Sequence, residues 1–133
     1  MKSLFRNVHV RKLSSGNSKL KVYGFALSQP TRSVLMLLKE GNIDFDFIIV
    51  NALKGENRRP EFKKISPTGL VPTITDTDND FTLSESGAIL QYVAEKYKIL
   101  PLYPQDITEK AKINFWLHWN HTNSRYESFF ENS

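Results

Sequence analysis

The chain has 133 residues, of which 40% are hydrophobic and 24% charged, and its net charge is +4. This composition excludes a disordered or fibrous chain, and no apolar run approaches the ~20 residues that a membrane-spanning helix needs. The absence of cysteine excludes a disulfide scaffold, a thiolate zinc site, an iron–sulfur cluster and a cysteine nucleophile. Any thiol chemistry would need a thiol that the substrate brings.

Residues 1–19 form a basic leader. Six of the 18 Lys and Arg residues lie within the first 21 positions, and no acidic residue precedes Glu40. A basic, serine-containing, amphipathic start is typical of a mitochondrial transit peptide, and a basic tail without a role is the alternative. The rest of the chain carries a small net negative charge. We therefore expect no nucleic-acid partner, since nucleic-acid binding needs Lys and Arg clustered on one face.

Residues 20–50 predict a strand, a helix and a second strand. Leu20–Phe25 is a short apolar strand candidate. Ser28-Gln29-Pro30 suits the cap and first turn of a helix, which Gly41-Asn42 ends. The alternating residues 43–50 predict the second strand, parallel to the first. The buried stripe of the helix is expected to contain Val34, Leu35 and Leu38, broadened by Met36 and Leu37.

A polar loop and a hairpin follow. Residues 51–64 predict a loop with at most one irregular helical turn, and residues 65–69 have the chemistry of a turn. Val71–Asp76 and Phe81–Ser84 predict an antiparallel pair of strands. A further helix begins at Ser84-Glu85-Ser86. Its apolar face is expected to contain Ala88, Ile89, Tyr92, Val93 and Tyr97.

The order βαβ-ββα is that of a thioredoxin-like α/β domain, in which helices cover a mixed four-stranded sheet. We assign residues 20–98 to this domain and residues 99–105 to a linker. Asp106 suits the cap of a helix that runs to about residue 127. One helix cannot bury its aromatic residues alone, so we expect a second copy or a partner protein to cover them. These residues are Phe115, Trp116 and Trp119.

Three positions suit a ligand site, and each also has a purely structural interpretation. In a thioredoxin-like fold Pro72 is expected to be cis, which would turn the N–H and C=O of Val71 toward a bound peptide, whereas an edge strand could simply begin there. Glu85 and Ser86 at a helix start suit carboxylate binding or plain capping. The Ser28 hydroxyl could donate to an anion or cap its helix. The predicted fold brings all three positions to one rim.

Several motifs of the chain are shared with one known family. They are Leu-Ser-Gln-Pro-Thr-Arg at 27–32, Lys-Gly-Glu-Asn at 54–57, Pro-Glu-Phe at 60–62, Ser-Pro-Thr-Gly-Leu-Val-Pro at 66–72, Leu-Ser-Glu-Ser-Gly-Ala-Ile-Leu-Gln-Tyr at 83–92, Leu-Tyr-Pro-Gln-Asp at 102–106 and Trp-Asn-His-Thr-Asn-Ser-Arg at 119–125. On these residues the chain resembles a theta-class glutathione transferase from Leu20 to about Arg125. The resemblance implies glutathione as co-substrate, with no other cofactor and no metal, and a small electrophile as second substrate.

The resemblance also implies a role for each matching residue. Ser28 corresponds to the theta serine whose hydroxyl stabilises the glutathione thiolate, which matters because a thiol of pKa about 8.5 is mostly protonated at neutral pH. The main chain of Val71, ahead of cis-Pro72, would pair with the cysteinyl part of glutathione. Glu85 and Ser86 would hold its γ-glutamyl end.

The glycine end and the electrophile side are less complete. Lys54, Asn57 and Arg58 lie in the loop that faces the glycine carboxylate, and Arg125 would lie near the electrophile. The family often has His in place of Asn57 and Lys in place of Leu70, so we expect a weaker grip on the glycine end.

Two functions follow as alternatives. The first is a glutathione transferase. The second is a non-catalytic module of the same fold within a larger assembly. Family members carry an all-helical second domain that walls the electrophile site, so we interpret residues 106–133 as the first helix of an incomplete one. The absence of cysteine excludes a glutaredoxin-like reductase, and a transferase-like domain of a translation factor is a weaker third option.

Overall fold

The protein is described by a computed structural model that covers residues 18–124. The strands are Leu20–Gly24 (β1), Asp46–Ile49 (β2), Thr73–Asp76 (β3) and Phe81–Ser84 (β4). The α-helices are Gln29–Glu40 (α1), Pro60–Lys63 (α2), Ser86–Lys96 (α3) and Ile107–Trp119 (α4). Short 3-10 turns lie at Ala52–Lys54 and Glu56–Arg58, and a π turn lies at Asn120–Ser124. Most of the predicted leader, and Arg125, lie outside the described residues.

The chain divides into two compact units, one ending at Leu90 and the other beginning at Gln91. The first unit contains a four-stranded sheet of order β2-β1-β3-β4. β1 runs parallel to β2, with Val22 opposite Phe47, and antiparallel to β3, with Val22 opposite Ile74. β3 and β4 form the antiparallel hairpin, with Ile74 opposite Leu83. The predicted thioredoxin-like arrangement is confirmed.

The two faces of β1 contribute to two sets of buried side chains, because successive strand residues point to opposite faces. One set is fully buried and includes Leu20, Val22, Val34, Leu38, Ile74 and Ile89. On the other face Tyr23 packs with Val50 and Phe62, and Val71 packs against this cluster. Burial raises the pKa of the Tyr23 phenol, and a hydrogen bond to Thr75 opposes this shift. Because Phe62 belongs to this cluster, it anchors the loop between β2 and β3 beside Val71.

Several predicted details were wrong. Met36 is 71% exposed, because the side of α1 facing the core follows Thr31, Val34 and Leu38 at a spacing of three and four residues. β2 begins only at Asp46, and the loop after it contains two 3-10 turns and α2 rather than one irregular turn.

The predicted faces of the later helices also need correction. Ile89 and Val93 share one side of α3, four residues apart, and are fully buried. Ala88 is exposed on another side of the helix, and Tyr97 is exposed because it follows the helix end at Lys96. α4 ends at Trp119 and the chain continues directly as the π turn through Ser124, so the predicted helix end near residue 127 lies outside the described residues.

The second unit is organised around the start of α4. Asp106 caps the helix, as predicted, by accepting hydrogen bonds from the N–H groups of Thr108 at 3.0 Å and Glu109 at 2.9 Å. Tyr103 is buried and donates to Asn114 Oδ1 at 2.9 Å. Phe115, Trp116 and Trp119 pack edge to face and remain exposed. None of the helices within residues 18–124 is long and apolar enough to cross a membrane.

Candidate functional site

Ser28 lies where β1 gives way to α1 and is the N-cap of that helix. Its backbone is extended, with φ −71° and ψ 119°, and its Oγ accepts the N–H of Thr31 at 3.4 Å. A hydroxyl that accepts one hydrogen bond still has its own proton to donate. Ser28 can therefore cap α1 and donate to an anion at the same time, so its structural and functional interpretations are compatible.

Val71 and Pro72 form the turn that enters β3. The peptide bond between them is cis, as expected. Val71 is half-buried and precedes the first residue of the strand, Thr73. No hydrogen bond within residues 18–124 uses the N–H or the C=O of Val71. Both groups are thus available to an extended peptide lying along the turn.

Glu85 connects β4 to α3 in an unusual backbone conformation. Its φ is +73°, a region that favours glycine, and its carbonyl accepts the N–H of Ile89 at 2.9 Å, so it occupies the cap position. A non-glycine residue held there costs about 1–3 kcal/mol, and such strain clusters at binding sites. The sequence predicted a site at Glu85 but not this conformation.

The first turn of α3 offers N–H donors that have no carbonyl partner inside the helix. Ser86 is the first residue of this helix and is half-buried. A Cβ built on Gly87 would meet no atom within 4 Å, so the helix start borders open space. The N–H groups and the positive end of the helix dipole suit a carboxylate at this point.

Three hydroxyls connect the turn at Val71 to the start of α3, and sequence analysis missed them. Ser84 Oγ lies 2.9 Å from Thr73 Oγ1 and 3.2 Å from Ser66 Oγ. Thr73 Oγ1 donates to the carbonyl of Leu70 at 2.8 Å, and Ser66 Oγ lies 3.3 Å from the same oxygen. Ser66 and Thr73 are fully buried. The only rule that pointed to these contacts in advance is that a buried hydroxyl needs a hydrogen-bond partner, and this rule does not say which residue the partner is.

Asn57 holds the loop against the turn rather than facing outward. Its Nδ2 donates to the carbonyl of Gly69 at 2.8 Å, and a Cβ on Gly69, whose φ is +66°, would lie 2.9 Å from the Asn57 carbonyl. Lys54 and Arg58 are exposed on the two 3-10 turns of the same loop. The backbone of this loop is further fixed by Asn51, whose Oδ1 accepts the N–H of Lys54 at 3.2 Å.

Arg125, the residue expected near an electrophile, lies outside the described residues. Within residues 18–124 no group of three His, Asp or Glu side chains could hold a metal ion. The groups that the fold does supply are a hydroxyl donor at Ser28, main-chain groups at Val71 and a helix start at Ser86, all in the first unit.

Comparison with known proteins identifies relatives of this chain. The family "Glutathione S-transferase, N-terminal domain" matches residues 22–101. Glutathione S-transferase theta-1 of Homo sapiens is 40% identical over 80% of this chain and 44% of its own length, and glutathione S-transferase T1 of Arabidopsis thaliana is 41% identical over the same shares. The chain therefore spans less than half the length of these relatives.

Solved structures agree with this assignment. Apo human glutathione S-transferase T1-1 is 39% identical and has a TM-score of 0.70, over 77% of this chain and 43% of that one. Human glutathione transferase theta-2, in complex with glutathione and an unknown ligand, is 34% identical and has a TM-score of 0.72, over 77% of this chain and 42% of that one.

Proposed function

Because the chain belongs to the glutathione S-transferase family, we propose that it binds glutathione and activates its thiol for attack on a small electrophile. The observation that carries the proposal is the turn at Val71, whose N–H and C=O have no hydrogen bond within the part of the chain that the structure describes. Main-chain groups without an internal partner pair with an extended peptide by strand addition.

The γ-glutamyl end of glutathione carries both an ammonium and a carboxylate, and the start of α3 offers a partner to each. The carboxylate would accept hydrogen bonds from first-turn N–H groups and from the Ser86 hydroxyl. The exposed carboxylate of Glu85 would pair with the ammonium. The backbone conformation of Glu85 supports this role. Glycine would adopt a φ of +73° at lower cost, and a charged residue kept in such a strained conformation is typical of a binding site.

The thiol is activated by hydrogen bonding at Ser28. A donor aimed at the sulfur favours the thiolate over the thiol and so lowers the thiol pKa. The thiolate then attacks the electrophilic carbon, a carbon–sulfur bond forms, and the leaving group departs with its electron pair. The positive end of the α1 dipole adds to the stabilisation of the anion.

The glycine carboxylate is assigned to Lys54 and Arg58. Both side chains are exposed, so each contact is screened by water and salt and contributes modestly. We assign Asn57 a supporting role, since its amide already donates to Gly69.

A non-catalytic module is the second candidate. One observation favours it: the aromatic residues of α4 are exposed. In this case the aromatic residues Phe115, Trp116 and Trp119 would be covered by a partner or by a second copy.

We also propose a mitochondrial location, from the basic leader. Terminal sequencing of the protein from its native cell tests it.

Calorimetric titration with glutathione, followed by a conjugation assay with a small electrophile, separates the candidates. Saturable binding with turnover supports the transferase. Binding without turnover favours the module, and the absence of binding contradicts the proposal. S-methylglutathione is the matched ligand for the titration, because it retains the peptide contacts and lacks the thiol proton.

A further inference from the structure

Resting on the proposed function, we propose that Thr73 and Ser84 are positioning residues for glutathione: their hydroxyls form a one-way hydrogen-bond chain that fixes the orientation of the Val71 N–H. It is part of a network that we call the hydroxyl relay, which has two branches ending on the Leu70 carbonyl. One branch runs from Ser84 through Thr73, and the other from Thr68 through Ser66. Neither Thr73 nor Ser84 needs to touch the ligand for this effect.

The direction of the hydroxyl relay follows from counting protons. A carbonyl oxygen can only accept, so the 2.8 Å contact between Thr73 Oγ1 and the Leu70 carbonyl uses the single proton of Thr73. The 2.9 Å contact between Ser84 and Thr73 then requires the proton of Ser84. By the same argument the proton of Ser66 is used on the Leu70 carbonyl, to which Ser66 Oγ donates at 3.3 Å, so this carbonyl accepts from two hydroxyls.

Thr68 completes the relay at its outer end. Its Oγ1 lies 3.3 Å from Ser66 Oγ, whose own proton is donated to the Leu70 carbonyl, so Thr68 is the donor. Thr68 is exposed, whereas Ser66 and Thr73 are fully buried. The relay therefore runs inward from the surface and ends on the peptide group ahead of Val71. Aligned hydroxyls of this kind polarise one another and strengthen each hydrogen bond.

The end point matters because of peptide geometry. The Leu70 carbonyl and the Val71 N–H belong to one planar trans peptide unit, in which the two groups point in opposite directions. A carbonyl held inward by Thr73 therefore holds the N–H outward, where a bound peptide would accept it. A hydrogen bond accepted by the carbonyl also makes the N–H of the same unit a better donor.

The relay also couples two parts of the candidate site. Ser84 is the last residue of β4 and directly precedes Glu85, whose φ is +73°. The Ser84 hydroxyl thus ties the connection into α3 to the turn at Val71. Loss of this hydroxyl would remove one hydrogen-bond partner from each of the buried oxygens of Ser66 and Thr73, which is unfavourable in a fully buried place.

The test compares Thr73→Val with Thr73→Ser. Thr73→Val keeps the shape and removes the hydroxyl, and we expect the KM and Kd for glutathione to rise roughly tenfold. At saturating glutathione kcat should stay within about twofold, since Ser28 makes the contact with sulfur. Thr73→Ser should restore the affinity. Thr82→Val, which removes an exposed hydroxyl from β4, is the matched control.

A spectroscopic readout separates this inference from the proposed function. In the ligand-free protein, Thr73→Val should shift the amide resonance of Val71, and Thr82→Val should leave it in place. If the parent protein binds no glutathione, the proposed function fails, and the Val71 resonance alone decides the orientation. An unchanged Val71 resonance, or an unchanged glutathione affinity in a parent protein that binds, overturns the inference. Should Thr73→Val fail to fold, Ser84→Ala interrupts the relay one residue earlier and is judged by the same two measurements.

Discussion

Gly24, at the end of β1, and Thr31, in the first turns of α1, approach each other too closely for any side chain on the glycine. A Cβ built on Gly24 would lie 2.5 Å from Thr31 Cγ2 and 3.0 Å from Thr31 Oγ1. Thr31 is fully buried, and its N–H is the donor to the Ser28 hydroxyl. The close approach therefore sets the position of the helix start that carries Ser28.

Gly24→Ala should push α1 away from β1. Overpacking of this kind destabilises a protein by about 1–3 kcal/mol, and we expect a fall of that size in the free energy of unfolding measured in urea. Adding Thr31→Ser removes the Cγ2 atom that lies 2.5 Å from the new methyl, so the double variant should regain part of the loss. Gly87→Ala, where a Cβ meets nothing within 4 Å, is the stability control. Equal stability of the Gly24→Ala and Gly87→Ala proteins would contradict the packing argument.

Ser28→Ala should lower turnover much more than it lowers glutathione affinity. Without the donor, the thiolate loses stabilisation and the pKa of the bound thiol rises toward its free value, so the pH profile of kcat shifts to higher pH. The lost cap should also reduce the free energy of unfolding by about 1 kcal/mol. Thiolate absorbance of the glutathione complex against pH measures the pKa directly. A pH profile that does not move would remove Ser28 from this role.

Glu85→Gly should stabilise the protein and impair binding in the same variant. Glycine adopts a φ of +73° without steric cost, so we expect the free energy of unfolding to rise by about 1 kcal/mol. Removal of the carboxylate should weaken glutathione binding several-fold, and Glu85→Gln should weaken binding with little change in stability. Paired melting and titration experiments test this. The hypothesis fails if Glu85→Gly binds glutathione as well as the parent protein.

Asn57→Ala and Lys54→Ala should differ in what they change. Asn57→Ala removes the donor to the Gly69 carbonyl and leaves this partly buried oxygen unpaired. The free energy of unfolding should therefore fall by about 1–3 kcal/mol. Lys54→Ala should leave stability unchanged and weaken glutathione binding by a factor that shrinks as salt is added. Titrations at low and high ionic strength measure the factor. A salt-independent loss would exclude a purely electrostatic contact.

The cap at Asp106 should add a pH-dependent contribution to stability. The hydrogen bond from the Thr108 side chain, and those from the N–H groups of Glu109 and Thr108, lower the pKa of Asp106 below its ordinary value of 3.8. A lowered pKa in the folded state means that this contribution is fully present above the unfolded pKa and is lost as pH falls through the folded one. Asp106→Asn keeps a capping oxygen that does not titrate. Its stability should therefore fall less steeply than that of the parent protein below about pH 4.

Much of the fold was predictable because its signals are local. The caps at Ser28 and Asp106 act on N–H groups two or three residues away, and the hairpin follows from two alternating segments around a polar turn. Pro72 in a strand-like run, together with the predicted fold, pointed to a cis bond, which the structure has. The candidate residues in these segments could be proposed without coordinates for the same reason.

Contacts between segments distant in sequence could not be predicted in this way. Ser66, Thr73 and Ser84 meet only because the turn before β3 and the end of β4 are held side by side by the register of the hairpin. The exposure of Met36 likewise depends on which side of α1 faces the sheet. The order of residues determines caps, turns and strand alternation, since these involve neighbours along the chain. Tertiary packing alone decides which hydroxyls are hydrogen-bonded to each other, how closely Gly24 and Thr31 approach, and which way the Val71 amide points, because each depends on atoms that only the folded chain brings together.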